Sequence, residues 1–245
     1  MAPTTILSYL SAIGFVHTMR DLHDPVKAFI IQKLLTSLSR RRSCDVRLPI
    51  SNPILYDLLN SLKHTNSSAA QRLLFFTIFL TAFYGFFRVG ELAAKSVRSS
   101  VVQYDNLRLL TSAGKIHSAK ITIRQFKHNI SNRPFDILIT GDDSSPLCPM
   151  AFLLKYCKLR GDKPGPRFCH PNNRAISINQ FNSEVRRCLA FCGLDTQRYK
   201  SQSFCIGATC LAAAKGFFDA QIRALDRWKY DAFKLYIRNS TLPTF

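Results

Sequence analysis

The spacing of hydrophobic residues predicts helices along most of the chain. Residues 4–39 show the three-to-four-residue period of amphipathic helices, interrupted at Asp24-Pro25. A long uncharged apolar run from Leu73 to Phe87 lies between two arginines, Arg72 and Arg88. It is shorter than the roughly 20 residues that a membrane span needs. We therefore interpret it as a helix that is buried on all sides.

A basic and proline-bearing joint separates two parts of the chain. The helical period breaks at Arg40-Arg41-Arg42, and the segment from Leu48 to Pro53 carries two prolines. Exposed polar and proline-rich segments are typical of domain boundaries. We therefore place a domain boundary near residues 40–52, between a helical segment of residues 1–45 and a larger domain of residues 50–245.

Beyond Arg88 the hydrophobic period changes to alternation. Ile121 and Ile123 form one alternating run, and Phe135, Ile137 and Ile139 form another, with turn-forming residues between them. Two such runs around a short polar turn are typical of a β-hairpin. The sequence therefore predicts an antiparallel hairpin within a chain that is otherwise helical.

The last third of the chain returns to helices. Ser177 and Gln180 have the spacing of a capping box, and Gly193 stands where that helix should end. Further helices are predicted at Ser203–Lys215, at Asp219–Leu225 from an aspartate cap, and from Asp231 onward, where the helix would carry Tyr236. The predicted fold class is mainly α with a small antiparallel β-hairpin or sheet, an α+β domain.

The net charge of the chain indicates which kind of molecule it binds. The formal net charge is +19, from 34 Lys and Arg against 15 Asp and Glu. Such a field attracts polyanions, and nucleic acid is the first to consider. An anionic membrane surface is the alternative, but the basic residues are spread along the chain and not gathered in one block. Residues 1–15 lack the features of a secretory signal, so we expect an intracellular protein.

The cysteines raise one metal-binding alternative. None of the eight forms a Cys-x-x-Cys pair, which favours reduced and mostly buried thiols. A zinc site could use Cys169, His170, Cys188 and Cys192, although structural zinc usually has more closely spaced ligand pairs. No nucleotide-binding or zinc-protease motif is present. We expect no metal and no small-molecule cofactor.

Arg88, at the end of the apolar run, is the strongest single candidate for a binding residue. A guanidinium is costly to bury, so it usually has an anionic partner, and phosphate suits its planar fork. The structural alternative is that Arg88 pairs with Glu91 or reaches solvent at the helix end.

The string around Arg88, from Phe83 to Leu92, resembles the first arginine box of the tyrosine recombinases, the phage-type integrases. The C-terminal run from Gln202 to Ala208, then Ala224 to Trp228, then Tyr236 to Arg238, resembles the second box, the tryptophan position and the terminal tyrosine of that family, in the same order. The chain looks most like recombinase proteins of eukaryotic mobile elements of the DIRS and Crypton types. The resemblance covers about residues 50–245 and implies a recombinase catalytic domain, with residues 1–45 as a truncated core-binding domain.

This resemblance implies a role for four residues. Arg88 would bind the scissile phosphate, and the ring N–H of Trp228 would do the same. Lys127, at the edge of the hairpin, would protonate the leaving 5′ oxygen. Tyr236 would be the nucleophile that forms a 3′-phosphotyrosyl link. Since fixed cations would stabilise the charge on the phosphate, this chemistry needs no metal.

Each of these residues also has a structural interpretation. Tyr236 on a terminal helix and Trp228 could be ordinary packing residues. Lys127 could be a solvated surface residue, and Lys120 or Arg124 could serve in its place.

The resemblance fails at the second box, which reads His-x-x-Arg in the family. Here Gln202 and Cys205 occupy those two positions, so the second arginine is missing. A thiol is neutral near pH 7 and has no fork for a phosphate. Arg198 or Lys200 could compensate.

Three functions remain open on the sequence. The first is a tyrosine-type DNA strand transferase, an integrase-like enzyme for DNA recombination and integration that is impaired by the missing arginine. The second is a recombinase-derived DNA-binding module without chemistry. The third is a nicking enzyme similar to type IB topoisomerases. For the first we expect copies of the chain to assemble on DNA, and a nuclear location if the source is eukaryotic.

Overall fold

The computed structural model describes residues 3–40, 47–66, 68–96, 99–112, 114–126, 129, 133–141, 145–227, 234 and 237. The chain divides into two compact units, residues 1–46 and residues 47–245. Lys127, Trp228 and Tyr236 lie outside the described residues. The roles predicted for them stay predictions.

The first unit is a pair of helices joined by a short turn. Helix α1 spans Pro3–Met19, a 3-10 turn spans Pro25–Lys27, and α2 spans Phe29–Arg40. The Asp24 carboxylate caps the turn, accepting a hydrogen bond from the Val26 backbone N–H at 2.9 Å. The Asp24-Pro25 pair therefore interrupts the helical period, as the sequence predicted.

The second unit contains seven helices within its described residues. They are α3 (Asn52–Thr65), α4 (Ala69–Tyr84), α5 (Val89–Leu92), α6 (Pro149–Arg160), α7 (Ile178–Phe191), α8 (Gln202–Ala214) and α9 (Asp219–Leu225). Across the described chain, no helix is both long and apolar enough to cross a membrane.

Helix α4 lies at the centre of this unit, and the prediction of a fully buried helix is confirmed. From Leu74 to Phe83 it is buried nearly all round. The ring of Phe79 packs 5.2 Å from that of Phe181 on α7 and 5.3 Å from that of Phe204 on α8. The end of the helix that leads to Arg88 is therefore held against two other helices.

A three-stranded antiparallel sheet supplies the β part of the fold. Strands β2 (Lys115–Ile123) and β3 (Phe135–Thr140) pair with Ile121 opposite Ile137, which confirms the predicted hairpin. The sequence missed β1 (Leu107–Ser112), which pairs with the other edge of β2. None of its residues is fully buried, so it lacks the alternation that marks a strand with one face in the core. The fold class is mainly α with a small antiparallel sheet, as predicted.

Two predicted helix starts have different outcomes. Ser177 caps α7, and its side chain and that of Gln180 bond the two backbone N–H groups reciprocally at 3.1 and 2.9 Å. The aspartate cap predicted for α9 is wrong. Asp219 is already helical, and the cap residue is Phe218, whose backbone N–H donates to the Gln221 side chain at 2.9 Å.

Helix α8 packs directly against the backbone of the segment that opens this unit. The Ile50 backbone N–H donates to the Ser203 carbonyl at 3.0 Å. A Cβ atom at Gly207 would lie only 1.8 Å from the Ile50 carbonyl oxygen. Only glycine allows this approach, which fixes where the first turn of α8 lies.

Candidate functional site

A tight turn between α4 and α5 sets the position of Arg88. Gly85 ends α4, and a Cβ atom there would lie 2.6 Å from the Phe87 ring and 2.8 Å from the Thr81 carbonyl. Phe86 follows in the left-handed conformation, with a φ of 53°. Arg88 then becomes the residue that precedes α5. The glycine of the first box is therefore required by the turn that places the arginine.

Glu91 is a buried carboxylate between two arginines. It accepts hydrogen bonds from the Arg88 backbone N–H at 2.9 Å and from Arg227 Nη2 at 2.7 Å. Its contact with the Arg88 guanidinium is longer, 3.7 Å from Oε1 to Nη1. Burial raises the pKa of Glu91, while the charges of Arg227 and Arg88 oppose that shift.

The interpretation that Arg88 simply pairs with Glu91 is therefore incomplete. The Arg88 side chain is 28% exposed, and its Nη2 donates to the Asp226 backbone carbonyl at 3.1 Å. Its Nη1 has no hydrogen-bond partner among the described residues. Nη1 is itself buried and faces Glu91, so an external acceptor would meet the exposed part of the side chain.

The second box lies at the start of α8. Gln202 is exposed, whereas Cys205 is buried and its thiol donates to the Phe87 backbone carbonyl at 3.1 Å. Burial raises the pKa of the Cys205 thiol, and Asp226 raises it further. Cys205 is therefore a neutral packing residue and not an anion or an activated nucleophile.

One cavity joins the two boxes. It measures about 230 Å³, and its walls include Arg88, Gly90, Gln202, Cys205 and Asp226. Residues 88 and 202 are more than a hundred positions apart in the sequence, yet the fold brings them to the same pocket. Of the six predicted site residues, the structure places three together, Arg88, Gln202 and Cys205.

Three of the alternative cations do not line this cavity. Lys120, considered as a substitute for Lys127, instead pairs with Asp136 at 3.0 Å across β2 and β3. Arg198 and Lys200, considered as substitutes for the missing second arginine, are exposed and do not line the cavity.

Arg227 is the residue of this region that the sequence reasoning missed. Its side chain is only 2% exposed, and besides Glu91 it bonds the Phe86 carbonyl at 3.0 Å. The sequence places it beside Trp228, but nothing there separates it from the other arginines and lysines. Its partner Glu91 is 136 positions away. Only the fold reveals that pair.

The residues of the zinc alternative do not form a metal site. Within the described parts of the chain, no three His, Cys, Asp or Glu side chains are grouped so that they could hold a metal ion. Cys188 contacts Thr65 and Glu184, while Cys169 contacts Asn173. These thiols pack within the fold.

Comparisons by sequence found neither a matching family model nor a matching curated protein. Comparisons by structure found several recombinases. XerA recombinase superposes with a TM-score of 0.56 and 14% identity, over 97% of this chain and 78% of that one. A lambda integrase dimer bound to a COC′ core site gives a TM-score of 0.57 and 13% identity, over 100% of this chain and 67% of that one.

A third match is the XerH site-specific recombinase in a post-cleavage complex with its palindromic difH substrate. It has a TM-score of 0.53 and 16% identity, over 78% of this chain and 48% of that one. The chain has the fold of the tyrosine recombinases. It spans about half of the XerH chain and two-thirds of the lambda integrase chain.

The two segments that the sequence resemblance assigns to the arginine boxes line one pocket of this fold, with Cys205 at the position where the resemblance expects the second arginine. A resemblance to mobile elements of the DIRS and Crypton types stays a prediction from the sequence.

Proposed function

We propose that this chain is a DNA-binding protein of the tyrosine recombinase type, which breaks and rejoins duplex DNA through a 3′-phosphotyrosyl intermediate and is impaired at its second box. The observation that carries the proposal is the cavity shared by Arg88, Gln202 and Cys205 in a chain with this fold. The net charge of +19 supports a polyanionic partner.

Arg88 is the residue that would hold a phosphate. It lines the cavity, and its side chain is 28% exposed. A phosphate oxygen that entered the cavity would gain a charge-assisted hydrogen bond from the exposed part of this guanidinium. During displacement at phosphorus, negative charge grows on these same oxygens, which a fixed arginine stabilises without rearranging.

The remaining steps belong to residues outside the described parts of the chain. The phenolic oxygen of Tyr236, after losing its proton to water, would attack phosphorus, and the bond from phosphorus to the 5′ oxygen would break. Lys127 would give its proton to that oxygen, and Trp228 would donate a ring N–H to the phosphate. Reversal of the same steps by a free 5′ hydroxyl would rejoin the strand and release Tyr236.

A second function is favoured by Cys205. Where the family has an arginine, this chain has a buried neutral thiol whose donor is already used by the Phe87 carbonyl. Losing one donor at a developing oxyanion costs roughly 10²- to 10³-fold in rate. The chain could therefore act as a recombinase-derived DNA-binding module that has lost its chemistry.

The partners follow from the same proposal. Double-stranded DNA is the ligand, and copies of the chain would assemble on it, as lambda integrase does in its dimer on a core site. The protein would act in the nucleus, as part of a eukaryotic mobile element. Only the sequence resemblance supports this part of the proposal.

Covalent trapping tests the enzymatic proposal. On a pool of nicked suicide duplexes of random sequence, the wild-type chain is expected to give a weak covalent protein–DNA band on a denaturing gel. Tyr236→Phe should lose the band, since only the phenolic oxygen can form the ester. A band of equal strength from Tyr236→Phe would assign the nucleophile to another residue.

DNA binding is measured in parallel, so that a missing band can be interpreted. For both proteins, the logarithm of the binding constant should fall linearly with the logarithm of salt concentration, by about 0.9 per phosphate contacted. Binding without a band from the wild-type chain would favour the binding module. A flat salt response between about 50 and 200 mM would contradict phosphate-mediated binding altogether.

A further inference from the structure

Arg227 is buried behind the cavity and does not line it. Its Nη2 donates to Glu91 Oε2 at 2.7 Å and to the Phe86 carbonyl at 3.0 Å. Its Cζ lies 5.7, 5.9 and 5.6 Å from the ring centres of Phe87, Phe126 and Phe135. A guanidinium enclosed in this way cannot reach a DNA phosphate, so any effect on the site must pass through its neighbours.

Arg227 can act on the site through Glu91. The guanidinium of Arg227 lies closer to the Glu91 carboxylate than the guanidinium of Arg88 does. The Arg227 contact is a hydrogen bond of 2.7 Å, whereas the Arg88 guanidinium approaches Glu91 only to 3.7 Å. A buried carboxylate without a close cation is strongly unfavourable. If Arg227 were absent, Glu91 would draw the Arg88 guanidinium toward itself and away from the cavity.

The charges around the cavity also indicate that anion binding depends on Arg227. Two carboxyl groups, those of Glu91 and Asp226, lie beside the two guanidinium groups of Arg88 and Arg227. Without Arg227, the site would lose one of these positive charges, and the cavity would attract an anion less strongly. The loss of the family's arginine at Cys205 makes this balance depend on Arg227.

We propose that Arg227 is a positioning residue of the phosphate site, which holds Glu91 so that the Arg88 guanidinium stays at the cavity and can bind a phosphate oxygen. This inference deepens the proposed function and rests on it. Arg227 thereby supplies from behind the cavity part of the positive charge that the second box has lost.

The test uses inorganic phosphate as the probe and the full-length chain. Phosphate is titrated while the Nε–H signal of Arg88 is followed by NMR in protein labelled at arginine, with Arg88→Lys assigning the signal. Arg227→Met is expected to weaken phosphate binding at least about tenfold. Arg227→Lys keeps a cation beside Glu91 and should stay within about threefold of the wild type.

The double variant Glu91→Gln with Arg227→Met distinguishes two roles of Arg227. One is to position Arg88 through Glu91, and the other is only to stabilise the fold. It removes the competing carboxylate together with Arg227, so Arg88 should be free again and phosphate affinity should return to within about threefold of the wild type. A purely structural role predicts that the double variant binds as weakly as Arg227→Met or more weakly. Since the double variant removes the buried carboxylate of Glu91 together with its closest cation, it remains informative if Arg227→Met does not fold.

Arg167→Met is the matched control. Arg167 is also buried, donates to the Tyr104 carbonyl at 2.8 Å and stacks 4.6 Å from the Tyr104 ring, away from the cavity. Its loss should lower the melting temperature and leave phosphate affinity unchanged. A double variant that fails to recover overturns the inference about Arg227 alone. A wild-type chain whose Arg88 signal ignores phosphate overturns this inference and the proposed phosphate site together.

Discussion

Replacing Gln202 by histidine and Cys205 by arginine is expected to raise the yield of covalent protein–DNA complex at least about 10²-fold over the wild-type chain. Both residues already line the cavity that contains Arg88, so the new side chains begin at its wall. The arginine restores a second fork for the phosphate oxygens. The histidine adds a group that can transfer a proton, which glutamine cannot do. The yield is measured on nicked suicide duplexes by denaturing gel.

Two controls decide how that result is interpreted. Tyr236→Phe in the restored background should abolish the band, and persistence of the band would show that another residue is the nucleophile. A restored protein that binds DNA and stays inert would contradict the prediction. It would mean that site residues other than 202 and 205 are also non-functional. The chain would then be a DNA-binding module without catalytic activity.

Gly207→Ala is expected to destabilise the protein by about 3 kcal/mol or more, near the upper end of the usual cost of overpacking. The added Cβ would lie 1.8 Å from the Ile50 carbonyl oxygen, a backbone atom that cannot rotate away. Either α8 or the segment before α3 must move. The free energy of unfolding is measured by urea denaturation, with the slope checked to be unchanged.

Gly90→Ala is the matched control for this prediction. A Cβ at Gly90 would meet only the Ile178 side chain, at 4.0 Å, and Gly90 lies within helix α5. Its effect on stability should stay within about 1 kcal/mol. A Gly207→Ala variant as stable as Gly90→Ala would show that Ile50 and α8 do not pack as the structure has them. The position of Gln202 and Cys205 at the cavity would then be in doubt as well.

The sequence predicted those parts of the fold whose signals are local. The apolar run before Arg88 predicted a buried helix, the alternation at Ile121 and Ile137 predicted the hairpin, and Ser177 with Gln180 predicted the start of α7. Each depends on residues within one element or two adjacent ones. The sequence did not predict strand β1, because neither of its faces is fully buried.

The candidate site was predictable in part, through the order of its motifs. The resemblance named Arg88, Gln202 and Cys205, and the fold brings them to one cavity. No local pattern could show that Cys205 is buried against the Phe87 carbonyl, or that Arg227 pairs with Glu91. Both contacts join residues more than a hundred positions apart, and they depend on how α8 and α9 pack against the turn after α4.

The most direct test of the central claim is a crystal structure of the Tyr236→Phe variant bound to duplex DNA, which requires no catalytic activity. The quantity to measure is the distance from the guanidinium nitrogens of Arg88 to the nearest phosphate oxygen. The account predicts a phosphate in the cavity between Arg88, Gln202 and Cys205, at a charge-assisted hydrogen-bond distance of about 2.7–2.9 Å. DNA bound elsewhere on the protein, with no phosphate in that cavity, would contradict it.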